Sequence, residues 1–347
     1  MKRTTGTASA IALATALSTG GAWAQGQVVV YHWFEYIPQE LVDKFTEETG
    51  IDMVIDTYDS NEAMLASLRA GGMGTYDVAV PGDYMVQIMR ETGLLDTIAE
   101  GELENHGNIE EQWLNVSYDP GRQHSIPYQW GSTAFSVNRD VYDGPINTTD
   151  ILFNPPPELS GRINMLDSQG EVMAIAAIHL GIPQCSQDRD ELQALNDLLM
   201  DSRQHFLSFN SDTAREVLVS GDAAAGMIYN GFSARGRIEE GANIEYAYPT
   251  QGYIAWMDNM VLLRDAPNRE NALRLMDFLL EPENVAMLTN WTQYSAGVEG
   301  VSPLLDEALR TQPESNPPAD AGPAVFIEPC DEATQAVYDR IWTNLRR

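Results

Sequence analysis

The chain has 347 residues, and 51 Asp or Glu against 20 Lys or Arg leave it with a formal charge of −31. Such a surface repels phosphate and argues against nucleic acid as a partner, whereas a cationic solute would be drawn to it. Adaptation to salt accounts for most of the excess, because Lys44 is the only Lys after Lys2, and the length suggests about two domains of modest size.

In chain order, Lys2 and Arg3 precede a small apolar region from Ala8 to Leu17, followed by Ala22-Trp23-Ala24. This order predicts a secretory leader over residues 1–24, cleaved after Ala24. No Cys follows that site, so no lipid anchor is expected. No later apolar run approaches the roughly 20 residues that cross a bilayer. The expected product is a soluble periplasmic protein. Its two cysteines, Cys185 and Cys330, could pair in an oxidising compartment, but nothing in the sequence brings them together, and no disulfide is assigned.

From Gln27 the pattern is regular. Val28–His32 reads as a buried strand, Pro38–Thr49 as a helix stopped by Gly50, and Ile51–Thr57 as a second strand. Asn61 is read as the cap of a helix ending at Gly71-Gly72. Tyr76–Val80 makes a third strand, and Tyr84–Thr92 another helix. This alternation predicts an open, mostly parallel α/β sheet, whose ligands bind where loops leave the carboxyl ends of strands. Ser125–Trp130 and Gly131–Asn138 look extended, and the second could carry the chain between domains. A new α/β pattern runs from Arg162 through a helix at Gly170–Leu180 to a strand at Ala223–Tyr229. Further helices are expected at Asn271–Leu280 and Glu283–Trp291, then a Pro-rich linker over Pro313–Pro323 and a last helix over Asp331–Leu345.

The stretch Tyr253–Leu263 is apolar and reads as a buried strand, yet it contains Asp258 beside Trp256, with no Arg or Lys within four residues. An unpaired charge there costs several kcal/mol. Either Asp258 caps the strand, or its cation comes from elsewhere in the fold or from a ligand.

The sequence lacks a phosphate-binding G-x-x-x-x-G-K-[ST], a G-x-G-x-x-G and a G-x-S-x-G elbow. Its five His lack the i, i+4 spacing of a helical zinc site. No metal, cofactor or catalytic residue is assigned. Carboxylates are numerous enough for a glycosidase-like pair, but nothing marks one. Aromatic and acidic residues do recur together at strand ends: Trp33 with Glu35 and Tyr36, Asp83 with Tyr84, and Trp256 with Asp258. Tyr229, Trp291 and Tyr294 are further candidates. This combination suits an alkylammonium ligand, although aromatic boxes also stack on sugars and each aromatic singly suits a core.

The run Tyr31–Tyr36, Phe45-x-x-Glu48-Thr49-Gly50, Asp77–Pro81, Ile126-Pro127-Tyr128-x-Trp130-Gly131 and Trp256-Met257-Asp258 resembles, in this order, the periplasmic spermidine/putrescine-binding proteins of ABC transporters. The resemblance implies two α/β lobes with a polyamine clamped between them and delivery to an inner-membrane ABC permease, with no catalysis. It implies one lobe from residues 25–133 and 257–302, another from 134–256 and 303–347, and a monomer. Carried over by residue, Trp33, Glu35, Tyr36, Asp83 and Tyr84 would face the ligand from the first lobe. Glu171 would bind an ammonium from the second lobe, Tyr229 would stand where the family usually has Trp, and Trp256, Asp258 and Tyr294 would complete the box. Departures bear on the amine. Spermidine-preferring members carry Asp where this chain has Ser168 and Gln near Ile327, and a putrescine-type member carries Asp where this chain has Phe232. A guanidino compound, an amino acid derivative or a sugar remains open as the solute, and an exported carboxylate-based hydrolase as the activity.

Overall fold

The structure, a computed structural model, describes residues 26–347, so the expected leader and its cleavage site lie outside the described residues. Strand β1 (Gln27–Trp33) is followed by helix α1 (Gln39–Thr49), β2 (Asp52–Tyr58), α2 (Asn61–Ser67), β3 (Val78–Ala79) and α3 (Asp83–Glu91). The helix α1 buries Leu41, Val42 and Phe45 and ends at Gly50, whose φ of 71° is the left-handed conformation glycine adopts without strain. Two expectations shift here. The cap of α2 is Ser60, whose hydroxyl accepts from the Ala63 amide at 3.2 Å, while the Asn61 side chain accepts from the Gly82 amide. The third strand shortens to two residues, flanked on one side by the Asp77 carboxylate, which accepts from the amides of Val29 and Asn268, both at 2.7 Å, and on the other by the Val80 carbonyl, which accepts from the Trp33 indole and the Tyr58 hydroxyl.

The two extended segments from Ser125 form one continuous 14-residue strand, β4 (Ser125–Asn138). Then come β5 (Ile163–Met165), α4 (Gln169–Leu180), α5 (Arg189–Ser202), β6 (Phe206–Phe209), α6 (Ala214–Val219), β7 (Ala225–Tyr229), α7 (Asn230–Ile238), β8 (Ile244–Ala247) and β9 (Tyr253–Leu262). Helices α8 (Arg269–Phe278) and α9 (Pro282–Thr292), the short strand β10 (Ala324–Phe326) and α10 (Glu332–Leu345) complete the chain.

Among the described residues the main sheet runs β2-β1-β3-β9-β4-β7-β5-β6, with β8 on β4 and β10 on β9. Parallel β1, β2 and β3 form one half, and parallel β5, β6 and β7 the other. The long antiparallel pair β4–β9 joins them. Strand β4 faces β9 along its first part and β7 along its second, so the same two strands belong to both halves. This is the two-lobed α/β architecture of periplasmic binding proteins, with the ends of β1, β3 and β7 opening on the seam between lobes.

The proline-rich stretch is packed rather than a free linker. Glu314 is 1 % exposed and holds Arg237 through two bonds of 2.7 and 2.8 Å, and its carbonyl accepts from the Tyr248 hydroxyl. A disulfide joins Cys185 to Cys330, 145 residues apart, and ties the segment after β10 to the loop between α4 and α5. None of the helices among the described residues is long and apolar enough to cross a membrane.

Candidate functional site

The residues expected at the site, Glu35 and the further candidate Trp291 excepted, line one cavity on the seam, with about 760 Å³ of empty space partly open to solvent, while Trp291 lies under the Arg235 guanidinium. Trp33 is fixed at the end of β1 by its indole, which donates to the Val80 carbonyl at 2.7 Å, and by Tyr58 against its ring. Tyr36 packs edge-on against Tyr128 and Tyr294, both at 5.3 Å between centroids. Beneath it, Tyr128 donates to the Tyr36 carbonyl and contacts His32, whose burial holds it down to about pKa 4 and therefore neutral.

The opposite wall comes from the joining strands. Trp256 lies edge-on to Tyr294 and Tyr229, and its indole donates to Thr133 Oγ1 at 3.0 Å. Thr133 in turn donates to Glu171 Oε1 at 2.6 Å, and the Tyr229 hydroxyl donates to Glu171 Oε2 at 3.1 Å. Gly131 makes this arrangement possible, since a Cβ there would fall 2.8 Å from the Trp256 ring. The site is thus an aromatic cage in which the rings themselves orient one carboxylate.

Asp258 sits where the β4–β9 register slips, between Asp258 and Asn259, and is 8 % exposed. A register break of this kind re-aims a side chain that regular alternation would place elsewhere. The strand continues to Leu262, so the reading of Asp258 as a terminal cap does not hold. Tyr36 stands close enough for each group to perturb the other's ionisation, yet the Tyr36 hydroxyl completes no well-aligned hydrogen bond within the protein. Among the described residues no Lys, Arg or His pairs with Asp258, Glu171 or Asp83.

Burial raises the Asp258 carboxyl well above the usual range; the Tyr36 hydroxyl opposes this, and the charges of Asp83 and Glu171 add to it. Burial likewise pushes Glu171 up to about 7, against the hydroxyls of Thr133, Ser168 and Tyr229. Asp83 also rises to about 7 through burial, although the amides of Tyr84 and Met257 donate to it at 2.7 and 3.3 Å. Its oxygens are therefore already engaged. Tyr84 presents its ring to the cavity and donates its hydroxyl to Glu62 at 3.0 Å.

Glu35 is placed elsewhere. Its φ of +47° turns the chain after β1 so that the carboxylate meets Arg215 Nη2 at 2.9 Å and Arg235 Nη1 at 3.3 Å, on α6 and α7 of the other half. The expectation that Glu35 faces a ligand beside Trp33 gives way to an ion pair that spans the seam. Conversely, the cavity is also lined by Phe34, Asp59, Asn61, Ser211 and Asp212, which sequence reasoning did not select. Asp59 directly follows β2, a strand end that the carboxyl-end rule could have flagged. Ser168, Phe232 and Ile327, singled out as departures, all reach the cavity.

Such a cage can neutralise and surround a cation. Comparisons with known proteins agree with its architecture. The family model of bacterial extracellular solute-binding proteins matches residues 40–317. The spermidine/putrescine-binding periplasmic protein of Escherichia coli is 36 % identical over 272 residues, 78 % of each chain. The putrescine-binding periplasmic protein SpuD of Pseudomonas aeruginosa is 32 % identical, with 100 % of this chain and 99 % of its own length covered. Among solved structures, the spermidine/putrescine ABC transporter substrate-binding protein PotD of Streptococcus pneumoniae superposes with a TM-score of 0.74 at 29 % identity, covering 93 % of this chain and 100 % of that one. The fold, the cavity on its seam and these likenesses together place the chain in the bacterial extracellular solute-binding protein family.

Proposed function

We propose that the protein is a periplasmic receptor that closes on a polyamine of the putrescine or spermidine class and delivers it to an ABC importer, acting by binding and not by catalysis. The observation that carries this reading is the pair Asp258 and Glu171, buried carboxylates in an aromatic cage that have no cation of their own. Each aromatic face holds an ammonium by about 0.5 to 2 kcal/mol, and each charge-assisted hydrogen bond contributes roughly 1.5 to 3 kcal/mol. A few such contacts reach a micromolar complex, about −8 kcal/mol, after ordering costs. The names of the relatives point to the same solutes.

The two halves of the sheet support lobes of residues 25–133 with 257–302 and of 134–256 with 303–347, working as a monomer that meets an inner-membrane permease. Ligand contacts from both lobes would stabilise the closed form. Calorimetry with putrescine, cadaverine, spermidine and spermine tests the reading, with micromolar or tighter binding of at least one expected. Binding of none of them, or binding of neutral sugars in their place, overturns it.

A further inference from the structure

Arg122 is the largest fully buried side chain among the described residues, at 1 % exposure, and it lies outside the cavity. It ends a turn in which Pro120 and Gly121 take the middle and its backbone amide donates to the Asp119 carbonyl at 3.1 Å. Its own φ is +53°, a left-handed conformation that persists away from glycine only where surrounding bonds hold it. From there the guanidinium runs behind β9. It donates through Nε to the Trp113 carbonyl at 2.6 Å, through Nη1 to Ser125 Oγ at 3.1 Å and Asn259 Oδ1 at 2.5 Å, and through Nη2 to the Tyr118 hydroxyl at 3.3 Å. All of these acceptors are uncharged. An apolar side chain of the same volume would fill this space at less cost than a desolvated guanidinium.

The bond to Asn259 reaches the site. Asn259 follows Asp258 on β9, and successive side chains of a strand point to opposite faces. Asp258 lines the cavity, whereas Asn259 is wholly buried on the face of Met257 and Val261, which pack with Tyr118. A guanidinium can only donate, so Arg122 dictates which end of the Asn259 amide is the oxygen. The Nδ2 end then donates to the Met257 carbonyl at 2.7 Å, and that carbonyl belongs to the peptide whose nitrogen is Asp258's own. The backbone amide of Asn259 donates to the Pro81 carbonyl at 2.9 Å, and that of Met257 to Asp83 Oδ2 at 3.3 Å. The backbone on both sides of Asp258 is thus gripped at the point where β4 and β9 slip register.

We propose that Arg122 is a positioning residue of the binding site: through Asn259 it locks the Met257–Asp258 peptide and so aims the Asp258 carboxylate at the ligand's ammonium. Only the identity of the ligand is taken from the polyamine reading. Neither Arg122 nor Asn259 lines the cavity, so their effect on binding passes through Asp258. Loss of the Arg122 bond frees the Asn259 amide to turn over, which sets its oxygen against the Met257 carbonyl and lets the peptide that carries Asp258 rotate. A carboxylate aimed wrongly forfeits the charge-assisted bond that offsets its burial.

Calorimetry with putrescine on Arg122→Gln and Asn259→Ala, each made in the parent and in Asp258→Asn, tests the assignment. Asn259→Ala removes no charge and leaves Arg122 its bonds to Trp113, Ser125 and Tyr118, so it reads positioning even where loss of the guanidinium unfolds the chain. Both substitutions are expected to weaken putrescine about fivefold or more with Asp258 present and by less than about twofold in Asp258→Asn, and Arg122→Lys, which keeps a donor, to recover part of the loss. Equal losses in the two backgrounds, or unchanged affinity in Asn259→Ala, show a merely structural role and overturn the assignment. NMR on the empty protein reads the same device without ligand: three-bond couplings at Asp258 should report one side-chain rotamer in the parent and averaging over rotamers in the variants. A rotamer that stays single in Asn259→Ala overturns the positioning whatever the affinities. A parent that binds no amine counts against the polyamine reading, while the rotamer still decides the role of Arg122.

Discussion

Glu35 and Arg215 meet at 2.9 Å across the seam, the first from the turn after β1 and the second from α6, and Arg235 joins them at 3.3 Å while lying over the Trp291 ring. Both arginines keep other acidic neighbours, Glu216 and Glu240 for Arg215 and Glu239 for Arg235. Removing Glu35 therefore costs a contact of the closed state without stranding a buried charge. The Glu35 side chain is 32 % exposed, so solvent screens the pair and its worth is about 0.5 to 1 kcal/mol. In Glu35→Gln, polyamine release measured by stopped-flow is expected to quicken two- to five-fold, with stoichiometry unchanged. An unaltered off-rate would show that the pair does not hold the lobes together.

Asp258 is buried in the cavity with no Lys, Arg or His paired to it, so its loss separates binding from folding. In Asp258→Asn the affinity for putrescine and spermidine should fall by at least tenfold to a hundredfold, the worth of one charge-assisted contact. The empty protein should melt no lower than the parent, because the substitution removes a buried group that is costly to ionise. Calorimetry and thermal melting on the same sample check both halves; a variant that binds normally removes Asp258 from the site.

Protons should accompany the ligand. Glu171 and Asp83 rise from the usual carboxylate range to about 7, so the folded, empty protein binds protons more tightly than the unfolded chain. For these groups stability is fully present below the unfolded value, near 4, and is lost as pH rises from there through about 7. Melting of the empty protein should accordingly fall between pH 5 and 7.5 in this contribution. Ammonium binding needs the ionised forms, so affinity should rise over the same interval. Titration at pH 6.5 in buffers of different ionisation enthalpy should show net proton release on binding. Proton uptake there would contradict the assignment of these carboxylates to the ligand.

The Cys185–Cys330 bond fixes the segment that carries β10 and Ile327, and Ile327 lines the aromatic cavity. Closing a loop of 145 residues contributes roughly 2 to 4 kcal/mol to stability. Cys185→Ser with Cys330→Ser should lower the melting temperature by several degrees and weaken polyamine binding a few-fold as that wall loosens. Equal melting of oxidised and reduced protein would deny the bond this role.

These cases show what local sequence carries. Strands β1 and β9 were legible as apolar runs, β4 only as two extended segments, and Asp258 stood out because a carboxylate within an apolar run is physically anomalous. The α/β alternation followed from helix stops such as Gly50. Pairing between distant residues was not legible: the disulfide and the Arg237–Glu314 contact depend on how the halves meet, so the stretch around Glu314 looked like a linker. Glu35 was misplaced because adjacency to Trp33 and Tyr36 in sequence says nothing of a positive φ between them. Asp212 is an exposed acidic residue in a chain full of them, and its place at the cavity comes from how the two halves meet, whereas Asp59 stands at a strand end where the carboxyl-end rule could have found it.

Ligand length is the last property that the cavity walls bear on. Ser168 and Ile327 both line the cavity, and neither offers a charge to a further ammonium. Ser168 is 6 % exposed and precedes α4, so a carboxylate at this position would stand close to Glu171 on the same turn. Against a diamine, whose two charges Asp258 and Glu171 already meet, Ser168→Asp adds repulsion without a new partner. Against a triamine it supplies the missing counter-charge. The ratio of spermidine to putrescine affinity should therefore rise by about tenfold in Ser168→Asp, measured by competition calorimetry, through a gain for spermidine together with little change or a loss for putrescine. An unchanged ratio would mean that the third ammonium does not reach this wall and that length is read elsewhere along the seam.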